Sequence, residues 1–318
     1  MSKETIAKFS AFVICAGLAA LLSSACAFTA SPATEQAPDS PYGPPKVIGT
    51  IKSPDITESS GVAASRCQSN VLWTHNDSGD DAFVYALDHA GNNLGTWKIP
   101  NAKNVDWEDI AAYKDRAGKC FLYIGEIGDN KTKRHEHIVY RVAEPVILPE
   151  NSSSSRKAPL TTADAEVLRF TYPDYDQDAE TVMVNPKTAD IYIVTKRVSG
   201  PAGVYRIKPD FGVAEPVKAQ SVAEISVPAI PNGLITGGDI SPDGTRVILC
   251  DYTRGYELLL PEGAKNFDAV WDQKPRPVEL GERANGEAVS YSVDGMAIYA
   301  TSEKRKGPAP VIEVKRRQ

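Results

Sequence analysis

Asp106-Trp-Glu-Asp-Ile110 is a short acidic turn that runs straight into an apolar stretch, Ile110-Ala-Ala-Tyr113. The arrangement returns four more times, as Glu58-Ser-Ser-Gly-Val62, Asp178-Ala-Glu-Thr-Val182, Thr236-Gly-Gly-Asp-Ile240 and Asn285-Gly-Glu-Ala-Val289. Counted at the first apolar residue, the copies fall 48, 72, 58 and 49 residues apart. A unit repeated at such a period marks a propeller or a solenoid, in which no unit buries its apolar surface alone.

Outward from the turn, each copy reads as four strands. The lead-in turn feeds strand a. A tight turn follows, such as Asn185-Pro-Lys-Thr188 or Ser241-Pro-Asp-Gly244. Pro presets its first corner and Gly supplies positive φ. Strand b is the strongest apolar run, as in Phe121-Leu-Tyr-Ile124 and Ile191-Tyr-Ile-Val194, rich in aromatic and β-branched residues. Strand c alternates, and strand d is weaker, at 94–99, 167–172, 222–227 and 277–280. The last copy stops after strand c at Val314, and an unassigned strand, Val47-Ile-Gly-Thr-Ile51, precedes the first copy. Closing the ring with that N-terminal strand removes exposed sheet edges.

The expected fold is therefore all-β: a five-bladed propeller over residues 46–318, closed by its N-terminal strand. The spacing of 72 keeps six blades as the alternative, because it contains an insertion at 143–162. That insertion, with its low-complexity Asn151-Ser-Ser-Ser-Ser155, reads as a disordered excursion or as a hidden strand pair. The helical hint is one short turn within 262–270.

Residues 1–27 read as a signal peptide. Lys3 and Lys8 flank the apolar stretch 9–22, and Ala25-Cys26-Ala27 supplies a small-residue cleavage site. Leu22-Ser-Ser-Ala-Cys26 resembles the bacterial lipoprotein box, with Ser23 where a large aliphatic residue is expected. Lipidation at Cys26 and plain secretion both stay open. Residues 28–45, rich in Pro, Ser, Ala and Thr, read as a flexible spacer. The protein is thus expected to be exported, periplasmic or extracellular, touching a membrane only through that lipid. Export permits a disulfide between Cys67 and Cys120, which occupy corresponding turns of the first two copies.

The 318 residues are 42% hydrophobic and carry a net charge of −6. That is ample for a large core, and the acidic balance argues against nucleic acid as a partner.

Ile240-Ser-Pro-Asp-Gly-Thr-Arg-Val247 resembles the Ser-Pro-Asp-Gly turn of TolB-type and WD-like propeller repeats, and Ser290-Tyr-Ser-Val-Asp-Gly295 is a looser copy. Asp106-Trp-Glu-Asp-Ile-Ala111 and Gly286-Glu-Ala-Val289 resemble the lead-in turns of secreted bacterial phytase-like propellers, including the "esterase-like activity of phytase" group. The resemblance implies a propeller over most of 46–318, an acidic mouth that binds calcium and, in some members, cleavage of phosphate esters. The chain departs from the pattern where the Gly after the Glu becomes Asp109, Thr181 or Ala288. Fold carries over better than activity, since one fold hosts many functions.

In a propeller the d–a and b–c turns share one face. The d–a turns bring Glu58, Asp106, Glu108, Asp178, Glu180, Asp239 and Glu287 to it, and the b–c turns bring His75, Asp77, Lys196, Arg197, Arg254 and Lys304. Glu108, Glu180 and Glu287 occupy one equivalent position. Two carboxylates about 5 Å apart repel by roughly 3 kcal/mol at an effective dielectric near 20. A cation, a raised pKa or a basic neighbour must relieve that. Calcium suits the oxygens of Glu108, Glu180, Glu287, Asp106 and Asp178. Lys196, Arg197, Arg254 and Lys304 are candidates to hold an anionic ligand. Acidic turns of this kind also serve structure, by capping backbone N–H groups of a neighbouring blade.

Two functions fit. One is a monomeric envelope module that binds a small anionic ligand or an envelope protein at the mouth. The other is a calcium-dependent hydrolase of phosphate esters or glycans. In that case Glu108, Glu180 and Glu287 are the catalytic candidates, assisted by His75, the single His in a mouth turn.

Overall fold

Strands with both faces covered lose the alternation between buried and exposed positions, and Leu72–Asn76, Ile191–Thr195 and Arg246–Cys250 are buried at every position. The computed structural model describes residues 40–304 and 307–317. The signal peptide 1–27, Cys26 and most of the spacer lie outside the described residues.

The strands in chain order are these. β1 (Lys46–Thr50) comes first. The first blade holds β2 (Ser59–Ala64), β3 (Leu72–Asn76), β4 (Phe83–Leu87) and β5 (Asn93–Lys98). The second holds β6 (Trp107–Lys114), β7 (Cys120–Glu126) and β8 (His137–Ala143), then, after the detour through β9 (Leu160–Thr161), β10 (Glu166–Thr171). The third holds β11 (Ala179–Val184), β12 (Ile191–Thr195) and β13 (Ala202–Ile207), then, beyond β14 (Val217–Lys218), β15 (Gln220–Ile225). The fourth holds β16 (Gly237–Ile240), β17 (Arg246–Cys250), β18 (Gly255–Leu259) and β19 (Arg276–Val278). The fifth holds β20 (Ala288–Tyr291), β21 (Ala297–Thr301) and β22 (Pro310–Lys315), and β1 completes it by pairing antiparallel with β22.

Among the described residues these form five sheets, and the inner strands β2, β6, β11, β16 and β20 touch in a closed circle. The molecule is a five-bladed β-propeller closed by its N-terminal strand. Its core is divided accordingly into apolar clusters along the seams between blades. Trp73, Trp97, Trp107 and Ile124 fill the first seam, and Tyr123, Phe170, Val182 and Tyr205 the second. Met183, Tyr192, Val247 and Trp271 fill the third. No described helix is long and apolar enough to cross a membrane.

Two expectations need correction. The insertion hides no sixth blade and is not a disordered excursion. It forms a 3-10 turn at Pro149–Ser153, then β9, which joins the outer edge of the first blade parallel to β5. The serine run is held by polar bonds that its composition conceals: the Thr96 N–H donates to Ser154 Oγ at 2.8 Å, and Asn93 Nδ2 donates to the Ser152 carbonyl at 2.9 Å. The spacer is also not loose up to residue 45. Tyr42 is fully buried and donates its hydroxyl to Glu257. The expected helical turn is the 3-10 turn Phe267–Val270.

Candidate functional site

Three inner strands each carry an extra residue at the same end of the ring. In β6, Trp107 pairs with Glu126 and Asp109 with Gly125, so Glu108 drops out of the ladder. In β11, Ala179 pairs with Thr195 and Thr181 with Val194, so Glu180 does the same. A bulge of this kind re-aims a side chain without ending the strand. The register of β2 shifts likewise between Ser59 and Val62, where the chain offers Ser60 and Gly61 instead of a carboxylate. Ser60 donates its hydroxyl to the Glu108 carbonyl at 2.9 Å.

The bulged glutamates meet the acids of the neighbouring turns. Carboxyl oxygens of Asp77, Asp106 and Glu108 lie within 4.8 Å of one another, and those of Glu108, Asp178 and Glu180 do the same. Glu108 belongs to both sets. The β7–β8 loop leans against them at Gly128, where a Cβ would stand 2.0 Å from Glu108 Oε1 and 2.6 Å from an Asp106 oxygen. Only glycine leaves that space to the carboxylates. The same loop is fixed by its own bonds. The Asp129 N–H donates to Asp178 Oδ1 at 2.8 Å, while Glu126 accepts the Val105 and Asp106 N–H groups and pairs with Arg134 at 2.8 Å.

The electrostatics follow from crowding in a partly dehydrated place. Burial, then repulsion from Asp77 and Asp106, pushes Glu108 well above the usual carboxylate range. Burial, then Asp77, Glu126 and Asp178, lifts Asp106 to about 6. Burial chiefly raises Asp77. Glu287 is pushed up to about 8 by burial and then by the charge and hydrogen bond of Glu303. Tyr252 is lifted to about 12 by burial and by Glu287, Glu303, Glu108 and Asp178.

The structure thus gathers Glu108, Glu180, Asp106 and Asp178. Glu287 faces the same mouth from the fifth blade but stands outside both oxygen sets, held by Asn285 Nδ2 at 3.0 Å. Of the basic candidates, Lys196 enters the cluster and pairs with Glu180. Arg197 sits at the rim and donates to Tyr175 Oη at 2.6 Å and Gln177 Oε1 at 2.9 Å. Arg254 turns outward to Glu279 at 3.5 Å, and Lys304 is exposed, its backbone N–H bonded to the Thr57 carbonyl.

His75 requires a correction. It lies within strand b, which runs on to Asn76, rather than heading the loop, is fully buried, and lies edge-on to Trp107 at 5.8 Å. Its Nδ1 bonds the Asn76 carbonyl at 2.9 Å, which assigns the proton there, and Nε2 has no hydrogen-bond partner. Burial depresses its pKa to about 4. A dehydrated imidazole of this kind is a poor acid–base group at neutral pH.

Sequence reasoning did not single out four participants, Asp77, Tyr252, Asp109 and Asp239, as ligand or clamp. The turn after strand b brings Asp77 to the mouth, but the sequence does not mark it as a metal ligand. Tyr252 carries no motif. Asp109 and Asp239 do the capping that was weighed for the glutamates. Asp109 accepts the Ile110 N–H at 2.8 Å and the Val182 N–H at 3.1 Å, in two successive blades. Asp239 accepts the Tyr291 N–H at 2.8 Å, the Ser290 hydroxyl at 3.0 Å and the Arg66 guanidinium at 2.7 Å. Cys67 and Cys120 form a disulfide between the first two blades.

No protein-family model matches this sequence, and no curated protein matches it. Among solved structures, a gluconolactonase from Xanthomonas campestris aligns at a TM-score of 0.46 and 11% identity, over 86% of this chain and 89% of that one. A structure described as U3-55K aligns at 0.42 and 8% identity, over 85% and 98%. Neither likeness bears on the chemistry of the mouth.

Proposed function

We propose that the mouth binds a divalent cation, calcium by its donor chemistry, and through it a small anionic ligand. One observation carries the reading: two sets of carboxyl oxygens, each within 4.8 Å, share the buried Glu108. Hard oxygen donors at this density suit calcium. The glycine cradle at Gly128 supports the reading, because it keeps a side chain out of the cluster. Asp77, Asp106 and Glu108 would hold the ion, with Asp178 and Glu180 beside them. A groove of about 450 Å³, lined in part by Asn130, Tyr175, Gln177, Lys196 and Arg197, adjoins the cluster and offers room for an organic anion. The likeness of the lead-in turns to phytase-like propellers points the same way. Export to an oxidising compartment, with or without a lipid on Cys26, belongs to this reading and is supported by the Cys67–Cys120 disulfide.

A second reading, a calcium-dependent hydrolase, is favoured by one observation. Glu287 stands outside both oxygen sets and is pushed up to about 8 by burial and Glu303, so it can donate a proton near neutrality beside a bound ion. Calorimetric titration of the purified protein with calcium tests the first reading. Saturable binding that is lost in Glu108→Gln is expected, and no heat of binding in the wild type would overturn it. Turnover of phosphate-ester or glycoside substrates, lost in Glu287→Gln, decides the second.

A further inference from the structure

The mouth already contains a cation of its own. Lys196 follows β12, and its backbone N–H donates to the Asp178 carbonyl at 2.9 Å, which fixes where the side chain starts. From there the side chain, only 15% exposed, reaches the Glu180 carboxylate. Its charge is also felt by Asp77, Glu108 and Glu287, whose raised pKa values it opposes. One ammonium thus serves carboxyl groups from the first, second, third and fifth blades.

We propose that Lys196 is a tethered competitor for the cation site: it occupies the Glu180 side of the cluster until a divalent ion displaces it, and the freed ammonium then engages the anionic ligand. This rests on the cation reading above and adds an order to it. Glu180 cannot serve the ammonium and a divalent ion fully at once, since its charge is shared between them. A displaced ammonium stays within reach of the anion, because the backbone of Lys196 is fixed by the Asp178 carbonyl and the groove that would take the anion is lined by Lys196 itself. A strongly hydrated point charge on a four-carbon stem suits such an exchange. Ion and anion then favour each other reciprocally.

The test compares wild type, Lys196→Met and Lys196→Arg by calorimetry, with calcium alone and then with inorganic phosphate at saturating calcium. A unit charge removed from beside the site should tighten calcium binding in Lys196→Met by at least about tenfold. Phosphate binding in that variant should weaken by a similar factor. Lys196→Arg keeps the charge and should stay within a few-fold of wild type for calcium. Thermal melting of each variant confirms folding. If wild type binds calcium and folded Lys196→Met binds it no tighter, or binds phosphate as well as wild type, the competitor role is overturned. Failure of wild type and Lys196→Met alike to bind calcium overturns the cation reading instead.

Discussion

Glu108 and Asp109 are consecutive residues with opposite duties. Glu108 leaves the ladder and joins both sets of mouth oxygens, while Asp109 turns inward and accepts backbone N–H groups from two blades. The bulge separates them, so one strand supplies a ligand group and a structural clamp side by side. Substitutions at the two positions should therefore give different phenotypes. Glu108→Gln should keep or slightly raise the melting temperature of the metal-free protein, by removing a crowded charge, and abolish its calcium response. Asp109→Ala should cost about 3–5 kcal/mol, by leaving buried N–H groups unpaired. Urea denaturation with and without calcium checks both.

The glycine cradle makes a sharper claim. Gly128→Ala places a methyl group where the Glu108 and Asp106 oxygens now sit. Calcium affinity should fall by about tenfold or more, with a loss of only a few degrees in melting temperature. Unchanged affinity would separate the β7–β8 loop from the site.

Stability should depend on pH in a direction set by the mouth. Asp106 near 6 and Glu287 near 8 lie above their ordinary values, so between about pH 4 and 8 the folded state holds protons that the unfolded chain has released. Their contribution is complete below about pH 4 and is lost as pH rises through the folded values. The metal-free protein should melt several degrees lower near pH 8 than near pH 5, and saturating calcium should flatten that slope. Melting curves across this range, with chelator or calcium, decide it.

His75 should prove structural. Truncation to Ala removes a fully buried ring packed on Trp107 and should cost about 2–4 kcal/mol. Calcium affinity should be unchanged, and any hydrolytic rate of the folded variant should stay near wild type. A selective loss of turnover without loss of stability would return His75 to the chemistry.

The blade count and the ring closure could be read from the sequence because both rest on strand periodicity. The residues at Val47-Ile-Gly-Thr-Ile51 have no other sheet to join, and β1 does lie against β22. The mouth was legible in part. Glu108 and Glu180 stand in one column of the repeat and end side by side, yet Glu287 in the same column does not enter the oxygen sets. Its inner strand begins only at Ala288, after the glutamate, so Glu287 precedes the ladder instead of bulging from it. The duty of Asp239 was hidden for another reason. Its partners, Arg66, Ser290 and Tyr291, lie far away in the chain, and no local pattern announces a bond across the ring. The serine run at 151–155 misled because its order comes from side-chain hydrogen bonds rather than from apolar burial.

The clasp between residues 41–43 and 315–317 has a wider consequence. Gly43 donates to the Lys315 carbonyl at 2.8 Å and Arg317 to the Pro41 carbonyl at 2.7 Å, so these two segments leave the fifth blade together. A short peptide joining them would make the backbone a loop without a beginning. Fresh termini cut at the exposed turn around Gly263 would leave every strand its present neighbours. A circular permutant of residues 40–317 with that design isolates how much of the propeller's cohesion belongs to blade packing and how much to the order in which the chain visits the blades.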